Sequence, residues 1–286
     1  MNRDRLYSPK VIKSILDRFD FKFSKGLGQN FLIDGNIVRA IGDGADITGD
    51  DYVLEIGPGF GTLTEELLLR AKKVVAVEID SRLKPVLDYT IGDFDNFKLI
   101  NEDVMKLDFD RLIEEEFDGH QFKVVANLPY YITTPIITSL IEKKLPIISM
   151  TFMIQKEVAE RLVAKPGNKQ YGAITLFIDY YTEAQMVVKA PKSVFVPQPK
   201  VDSAVVKLDL KKEFPNVNEE ILFKLIHCGF QQRRKNILNS LTSDKSLGLT
   251  KESLGIILNE LDINPNSRAE NLSLDDYIKI SEYISV

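Results

Sequence analysis

A side-chain amide, a leucine, a proline and a phenol follow one another at Asn127-Leu128-Pro129-Tyr130, directly after the apolar run Val124-Val125-Ala126. Such a run reads as a buried strand, and Pro129, which has no N–H, cannot continue its ladder. The strand therefore stops there. In an open α/β sheet, ligands sit just outside the carboxyl ends of strands. At that place the Asn127 side-chain oxygen and the Pro129 main-chain carbonyl are two acceptors, and Tyr130 is an aromatic face. The set suits a planar base with an exocyclic amine, whose two N–H groups donate while its ring stacks. The same four residues also suit an ordinary turn, so the choice rests on the rest of the chain.

Leu54-Glu55-Ile56-Gly57-Pro58-Gly59-Phe60-Gly61-Thr62 reads as a strand, a glycine turn and a helix start. Gly57 and Gly59 let a ligand approach the backbone closely. The spacing G-x-G-x-G differs from the G-x-G-x-x-G of dinucleotide folds, and Pro58 removes an N–H that a pyrophosphate cradle would use. A nicotinamide-dependent dehydrogenase is disfavoured accordingly. About 20 residues on, the next strand ends in Glu78, placed to accept from both hydroxyls of a ribose. Asp103, after the third strand, is placed to accept from an adenine amine. Singly, each acid reads as a solvated strand end; parallel strands bring all four tips to one edge.

The elements that must position these residues follow from periodicity. Apolar runs at 52–56, 74–77, 97–100, 124–126 and 147–154 alternate with helical stretches at 62–70, 81–89, 106–117 and 134–143, which implies βαβ units and a parallel sheet. Upstream, Ser8-Pro9 opens a helix to about Phe19, and Asp34 can cap another over 35–42. A further helix is expected at 156–164. The runs 173–181, 184–188 and 204–210 leave little room for crossovers, so they are expected as strands of an antiparallel edge. Beyond Phe214-Pro215, helices are expected at 219–230, 232–241, 251–261 and 273–283, with a domain boundary near 210.

At 286 residues, with 44% hydrophobic and 28% charged residues, the chain suits a globular protein with a second small unit. Its apolar runs are too short to span a bilayer, and no apolar signal region opens it. One cysteine (Cys228) and two histidines (His120, His227) make neither an intrachain disulfide nor a His/Cys metal cage. A cytosolic, metal-free protein is expected. The net charge of −5 conceals two basic zones: 1–30 holds seven Lys/Arg against three Asp/Glu, and 140–207 holds ten against six. Between them, 42–139 holds nine against twenty. Local charge is what meets phosphates, so the average does not exclude a nucleic-acid partner.

Taken together, E-x-G-x-G, Glu78, Asp103 and N-L-P-Y resemble a class I S-adenosylmethionine-dependent methyltransferase acting on the amino group of a base. Leu27-Gly28-Gln29-Asn30-Phe31-Leu32, the stretch Phe195-Val196-Pro197-Gln198-Pro199-Lys200-Val201-Asp202-Ser203, and Phe230-Gln231-Gln232-Arg233-Arg234-Lys235 narrow the likeness. The chain is similar to the bacterial small-subunit ribosomal RNA adenine N6,N6-dimethyltransferases, the KsgA/RsmA family, with motifs running from residue 25 to 239. Gly26 departs from the longer side chain many relatives carry.

The resemblance implies an α/β, Rossmann-like methyltransferase domain with a mixed, mostly parallel sheet over 1–210, including a basic helical arm over 1–30. A small all-helical, rRNA-contacting domain over 211–286 follows. It implies transfer of methyl groups to N6 of two adjacent adenines in a hairpin near the 3′ end of 16S rRNA, within the small subunit and alongside a role in its biogenesis. A monomeric, cytoplasmic enzyme is expected. Asn30 and Leu32 would close over the methionine end of the cofactor, and Gly57, with Gly59, would face its carboxylate and sulfonium. Glu78 would hold the ribose, Asp103 the adenine amine, and Asn127 would line both cofactor and target. Tyr130 and Phe195 would sandwich the target adenine. RNA contact would come from Arg5, Lys10, Lys13, Lys22 and Lys25 in the arm, and from Arg233, Arg234 and Lys235. The alternatives are the large-subunit rRNA adenine methyltransferases of macrolide resistance, which share the catalytic domain, and a non-catalytic nucleic-acid-binding factor on the same scaffold.

Overall fold

The computed structural model describes residues 5–24 and 26–284; Lys25, one of the basic positions named above, lies outside the described residues. By packing, the chain forms two compact units. The first comprises residues up to Ala159 with Gln185–Leu210, and the second comprises Glu160–Ala184 with the chain from Lys211 on. Residues 160–184, expected with the first domain, thus group with the helical second unit.

In the first unit α1 (Pro9–Phe19) starts on a proline at its first turn and buries Ile12 and Ile15. A short strand, β1 (Phe31–Leu32), precedes α2 (Gly35–Gly44), which Asp34 caps through the N–H groups of Asn36 and Ile37. Then β2 (Tyr52–Ile56), α3 (Thr62–Leu68), β3 (Lys73–Val77), α4 (Lys84–Ile91), β4 (Phe97–Ile100), α5 (Phe109–Phe117), β5 (Phe122–Asn127), α6 (Thr133–Glu142), β6 (Ile147–Gln155) and α7 (Lys156–Leu162) follow. The strands are rich in β-branched residues, and all of β2 is buried, as for a sheet covered on both faces. After them come α8 (Ala173–Tyr181), β7 (Thr182–Ala190), β8 (Phe195–Val196) and β9 (Ser203–Leu210).

The main sheet runs β4-β3-β2-β5-β6-β9-β7. Pairs β2–β3, β3–β4, β2–β5 and β5–β6 are parallel, and β6–β9 is antiparallel, so the expected mixed sheet is present. The chain steps outward from β2 to β4, then returns to β5 on β2's other side. That reversal leaves a crevice above the carboxyl ends of β2 and β5. A two-stranded antiparallel ribbon sets Phe31 against Val196 and Leu32 against Phe195.

The segment 173–181 is helix α8, a correction to the strand expected there. It lacks the strict alternation of a half-buried strand. Gly172 begins it, with its N–H on the Thr175 hydroxyl at 3.1 Å, and Phe177, Tyr180 and Tyr181 pack on Phe223. The second unit continues with α9 (Glu219–Gln231), α10 (Ile237–Leu241), α11 (Lys251–Glu260) and α12 (Leu274–Ile284). Residues 232–236, expected as helix, form a turn because Asn236 caps α10 through the Asn239 N–H at 3.0 Å. No helix among the described residues is long and apolar enough to cross a membrane.

Candidate active site

A cavity of about 210 Å³ opens above the carboxyl ends of β2, β3 and β5, roofed by the loop before β1. Asn30, Leu32, Gly57, Gly59, Glu78 and Asp103 line it, and so do Asn127, Pro129 and Tyr130. Of the predicted cofactor and catalytic residues, Phe195 alone lies outside this lining.

The two glycines of the turn do different work. Gly57 has φ +71°, and a Cβ there would meet nothing within 4 Å, so its bare backbone faces open space. Gly59 has φ +59°, and a Cβ would meet the Phe31 ring at 2.8 Å. That ring is stacked on Phe60 with centroids 4.0 Å apart. Glu78 is buried; burial pushes its carboxyl up to about 7, against the pull of N–H groups from Asp80, Gly59 and Ile79. Its Oε1 accepts from Asp80 N at 2.8 Å. Glu55, one strand over, is fully buried and raised further, to about 8, by burial with the nearby charge of Glu78 adding to the shift. Its Oε2 has no hydrogen-bond partner among the described residues. Asp103 spends Oδ1 on the N–H of Met105 at 3.0 Å.

At the tip of β5, Asn127 donates Nδ2 to the Asn30 carbonyl at 3.0 Å. This bond fixes which way the amide faces, and leaves Oδ1 as the atom with no donor among the described residues. The Pro129 carbonyl, expected to accept from the base, is already occupied: Thr133 Oγ1 donates to it at 3.0 Å and Ile132 N at 3.3 Å. A carbonyl has two lone pairs, and here both serve the start of α6. The Leu128 carbonyl, one residue earlier, accepts from no donor among the described residues. Leu128 also lines the cavity. Tyr130 is half-buried, and its hydroxyl is 2.7 Å from Ser203 Oγ at the start of β9, which pins the ring. Phe195 is 2% exposed, within the hydrophobic core and across the ribbon from Leu32. Tyr131, 60% exposed, lines the cavity with its ring against Gly28.

The cationic positions divide. Lys10, Lys13 and Lys22 are exposed on the arm, whereas Arg5 lies 3.8 Å from Glu65. Arg233 is held within the second unit by the carbonyls of Lys169 (3.1 Å) and Tyr171 (2.9 Å) and by Glu270 Oε2 (3.0 Å). Arg234 and Lys235 are exposed.

A family model described as Ribosomal RNA adenine dimethylase matches residues 20–285. The chain belongs to the ribosomal RNA adenine dimethylase family. It is therefore an S-adenosylmethionine-dependent methyltransferase of rRNA adenine. Among similar proteins, the Ribosomal RNA small subunit methyltransferase A of Alkaliphilus oremlandii (strain OhILAs) is 48% identical over 277 residues, 96% of each chain. That of Geobacillus thermodenitrificans (strain NG80-2) is 49% identical over 286 residues, 98% of this chain and 97% of its own. Two solved structures share the fold: a dimethyladenosine transferase from Plasmodium falciparum (30% identity, TM-score 0.73, covering 89% of this chain and 97% of its own) and the 23S rRNA methyltransferase ErmE (25%, 0.71, 90% and 100%).

The features of this adenine dimethylase fit its cofactor. A glycine backbone open to the cavity, a buried unpartnered carboxyl oxygen on Glu55 and a second carboxylate on Glu78 suit a ligand with hydroxyls and an ammonium group. Ile79, 53% exposed on the same wall, offers an apolar face for a purine. Ile79, Leu128, Tyr131 and Ser203 join the site only in the folded chain. Ile79 follows the strand-end acid directly and Ser203 closes the P-K-V-D-S stretch, so both had a local signal.

Proposed function

We propose that this enzyme dimethylates N6 of two adjacent adenines in a hairpin near the 3′ end of 16S rRNA, within the small ribosomal subunit, as a cytoplasmic monomer. Identity of 48–49% to small-subunit relatives, against 25% to the 23S enzyme, supports the small subunit as substrate. The observation that carries the chemistry is the Asn127 amide: held by the Asn30 carbonyl, it presents its oxygen in the cavity that Gly57 and Glu78 also line.

The cofactor supplies an electrophilic methyl group on a sulfonium sulfur. Glu78 would hold its ribose, Asp103 its adenine amine and Ile79 its purine face, with Gly57, Asn30 and Leu32 around the methionine end. The adenine N6 is a weak nucleophile because its lone pair is delocalised into the ring. Asn127 Oδ1 and the Leu128 carbonyl accept its two N–H groups, which draws the nitrogen toward tetrahedral geometry and frees the lone pair. The same two oxygens stabilise the positive charge developing on nitrogen, as donors do for an oxyanion. Tyr130, its hydroxyl tied to Ser203, gives the extruded base a fixed stacking face.

The test is incubation with labelled S-adenosylmethionine and undermethylated small subunits, large subunits or free RNA, followed by nucleoside analysis. Dimethyladenosine confined to small-subunit RNA is expected; label in large-subunit RNA instead would reassign the substrate. In the same assay Asn127→Ala should abolish turnover while cofactor affinity falls far less, and an Asn127→Ala enzyme with full turnover removes the mechanism.

A further inference from the structure

Three consecutive residues of the loop before β1 each hold a different segment beside the cavity. Gly28, at φ +60°, lies so close to the Tyr131 ring that a Cβ would approach it at 3.4 Å. Gln29 donates Nε2 to Asp80 Oδ2 at 2.8 Å. The Asn30 carbonyl accepts from Asn127 at 3.0 Å. Gln29 is bonded at both ends of its amide, since Oε1 accepts from the Ser24 N–H at 2.8 Å and so ties the loop's beginning to its end.

Asp80 is 6% exposed and is no ordinary strand-end charge. Arg82 forks onto it, Nε to Oδ1 at 2.8 Å and Nη2 to Oδ2 at 2.6 Å, and extends Nη1 to the Lys22 carbonyl at 3.2 Å. The Asp80 N–H donates to Glu78 Oε1. Residues 22, 24 and 29 are thereby linked to the segment that carries Glu78, and residue 30 to Asn127. The Arg82 guanidinium holds the Asp80 carboxyl below its ordinary range, so the anchor is charged at neutral pH.

We propose that Gln29 and Asp80 are positioning residues for methyl transfer: their bond holds the loop so that the Asn30 carbonyl orients the Asn127 amide. One short loop then sets both the ribose end and the base end of the site. The inference rests on the role given to Asn127 above. A side-chain amide can present either oxygen or NH₂, and only the oxygen can accept from an amine. What selects the oxygen is the Asn30 carbonyl. An untethered loop lets that carbonyl move and Asn127 turn, which places donor against donor and lowers kcat.

Gln29→Leu removes both amide bonds at similar volume. Gln29→Glu sets carboxylate against carboxylate while keeping an acceptor for the Ser24 N–H. Each is assayed for methyl transfer to undermethylated small subunits, with S-adenosylhomocysteine affinity and thermal unfolding measured on the same preparations. The single variants should lose kcat roughly 10- to 100-fold, the size of a lost charge-assisted hydrogen bond. KM for the subunit should change less than about threefold, and both variants should still unfold near the wild-type Tm. Full turnover by Gln29→Leu, or a loss that follows Tm, overturns the proposal. Asn127→Ala separates the two readings: if it is inactive while Gln29→Leu is fully active, this inference alone fails.

Discussion

Gly57 and Gly59 are written alike in the sequence, yet a methyl group added to each meets opposite surroundings. Both carry positive φ, so alanine costs roughly 1–2 kcal/mol at either position. At 57 the new methyl projects into the cavity; at 59 it strikes a Phe31 ring that its stack on Phe60 prevents from yielding. Gly57→Ala should therefore weaken S-adenosylhomocysteine binding, read by calorimetry, well beyond its small loss of Tm. Gly59→Ala should lose Tm first, by overpacking. The carboxyl pair beneath gives a second residue-scale expectation. Glu55 and Glu78 have folded values of about 8 and about 7 against an ordinary 4.5, chiefly from burial. Folded chains then bind more protons than unfolded ones between about pH 4.5 and 8, so this contribution to stability is complete below 4.5 and is lost as pH rises through 7 to 8. Without cofactor, Tm should fall as pH rises across that window, and Glu55→Gln should flatten the fall. Ribose hydroxyls donate best to an ionised Glu78, so cofactor affinity should rise over the same interval.

At the scale of elements, the ribbon of β1 and β8 joins the Leu27–Leu32 motif to the Phe195–Ser203 motif, and places Phe195 opposite Leu32. A buried ring there supports the loop. Phe195→Leu should cost roughly 1–3 kcal/mol of stability while turnover on small subunits stays within about threefold; Tyr130→Leu should lose turnover with Tm nearly unchanged. A Phe195→Leu enzyme that is stable yet inactive would show that the ring leaves the core to meet the base. Helix α8 is instructive in a different way. Its apolar residues run almost without interruption, a pattern that periodicity cannot assign to strand or helix. The helix is decided by the Gly172–Thr175 cap and by the aromatic surface of Phe223.

For the whole molecule, charge matters by which partners already hold it. Arg233, Arg234 and Lys235 are all exposed, but three acceptors hold Arg233. Arg234→Ala with Lys235→Ala should make the salt dependence of subunit binding shallower, by roughly 0.7–0.9 in log–log slope for each phosphate that is no longer neutralised. Arg233→Ala should instead lower the thermal stability of the helical unit and leave that slope nearly unchanged. The sequence shows three adjacent cations of equal standing; only the partners of each separate them.

Local rules were enough for the frame of this protein. Strand–helix alternation implies parallel strands, parallel strands share one carboxyl edge, and a glycine turn, two acids and an amide at successive tips must then converge. Each of those signals lies within one turn or one strand end, so short-range sequence carries it. Three details needed the folded chain, because they depend on which atoms are already bonded. The orientation of Asn127 is set by Asn30, 97 residues away; the Tyr130 ring is fixed by Ser203, 73 away; the loop anchor joins Gln29 to Asp80 across 51 residues. Even the nearby exchange of the Pro129 carbonyl for that of Leu128 follows from lone pairs consumed by Thr133 and Ile132. Residue type makes a group capable of a bond, and packing decides whether it is free to make one.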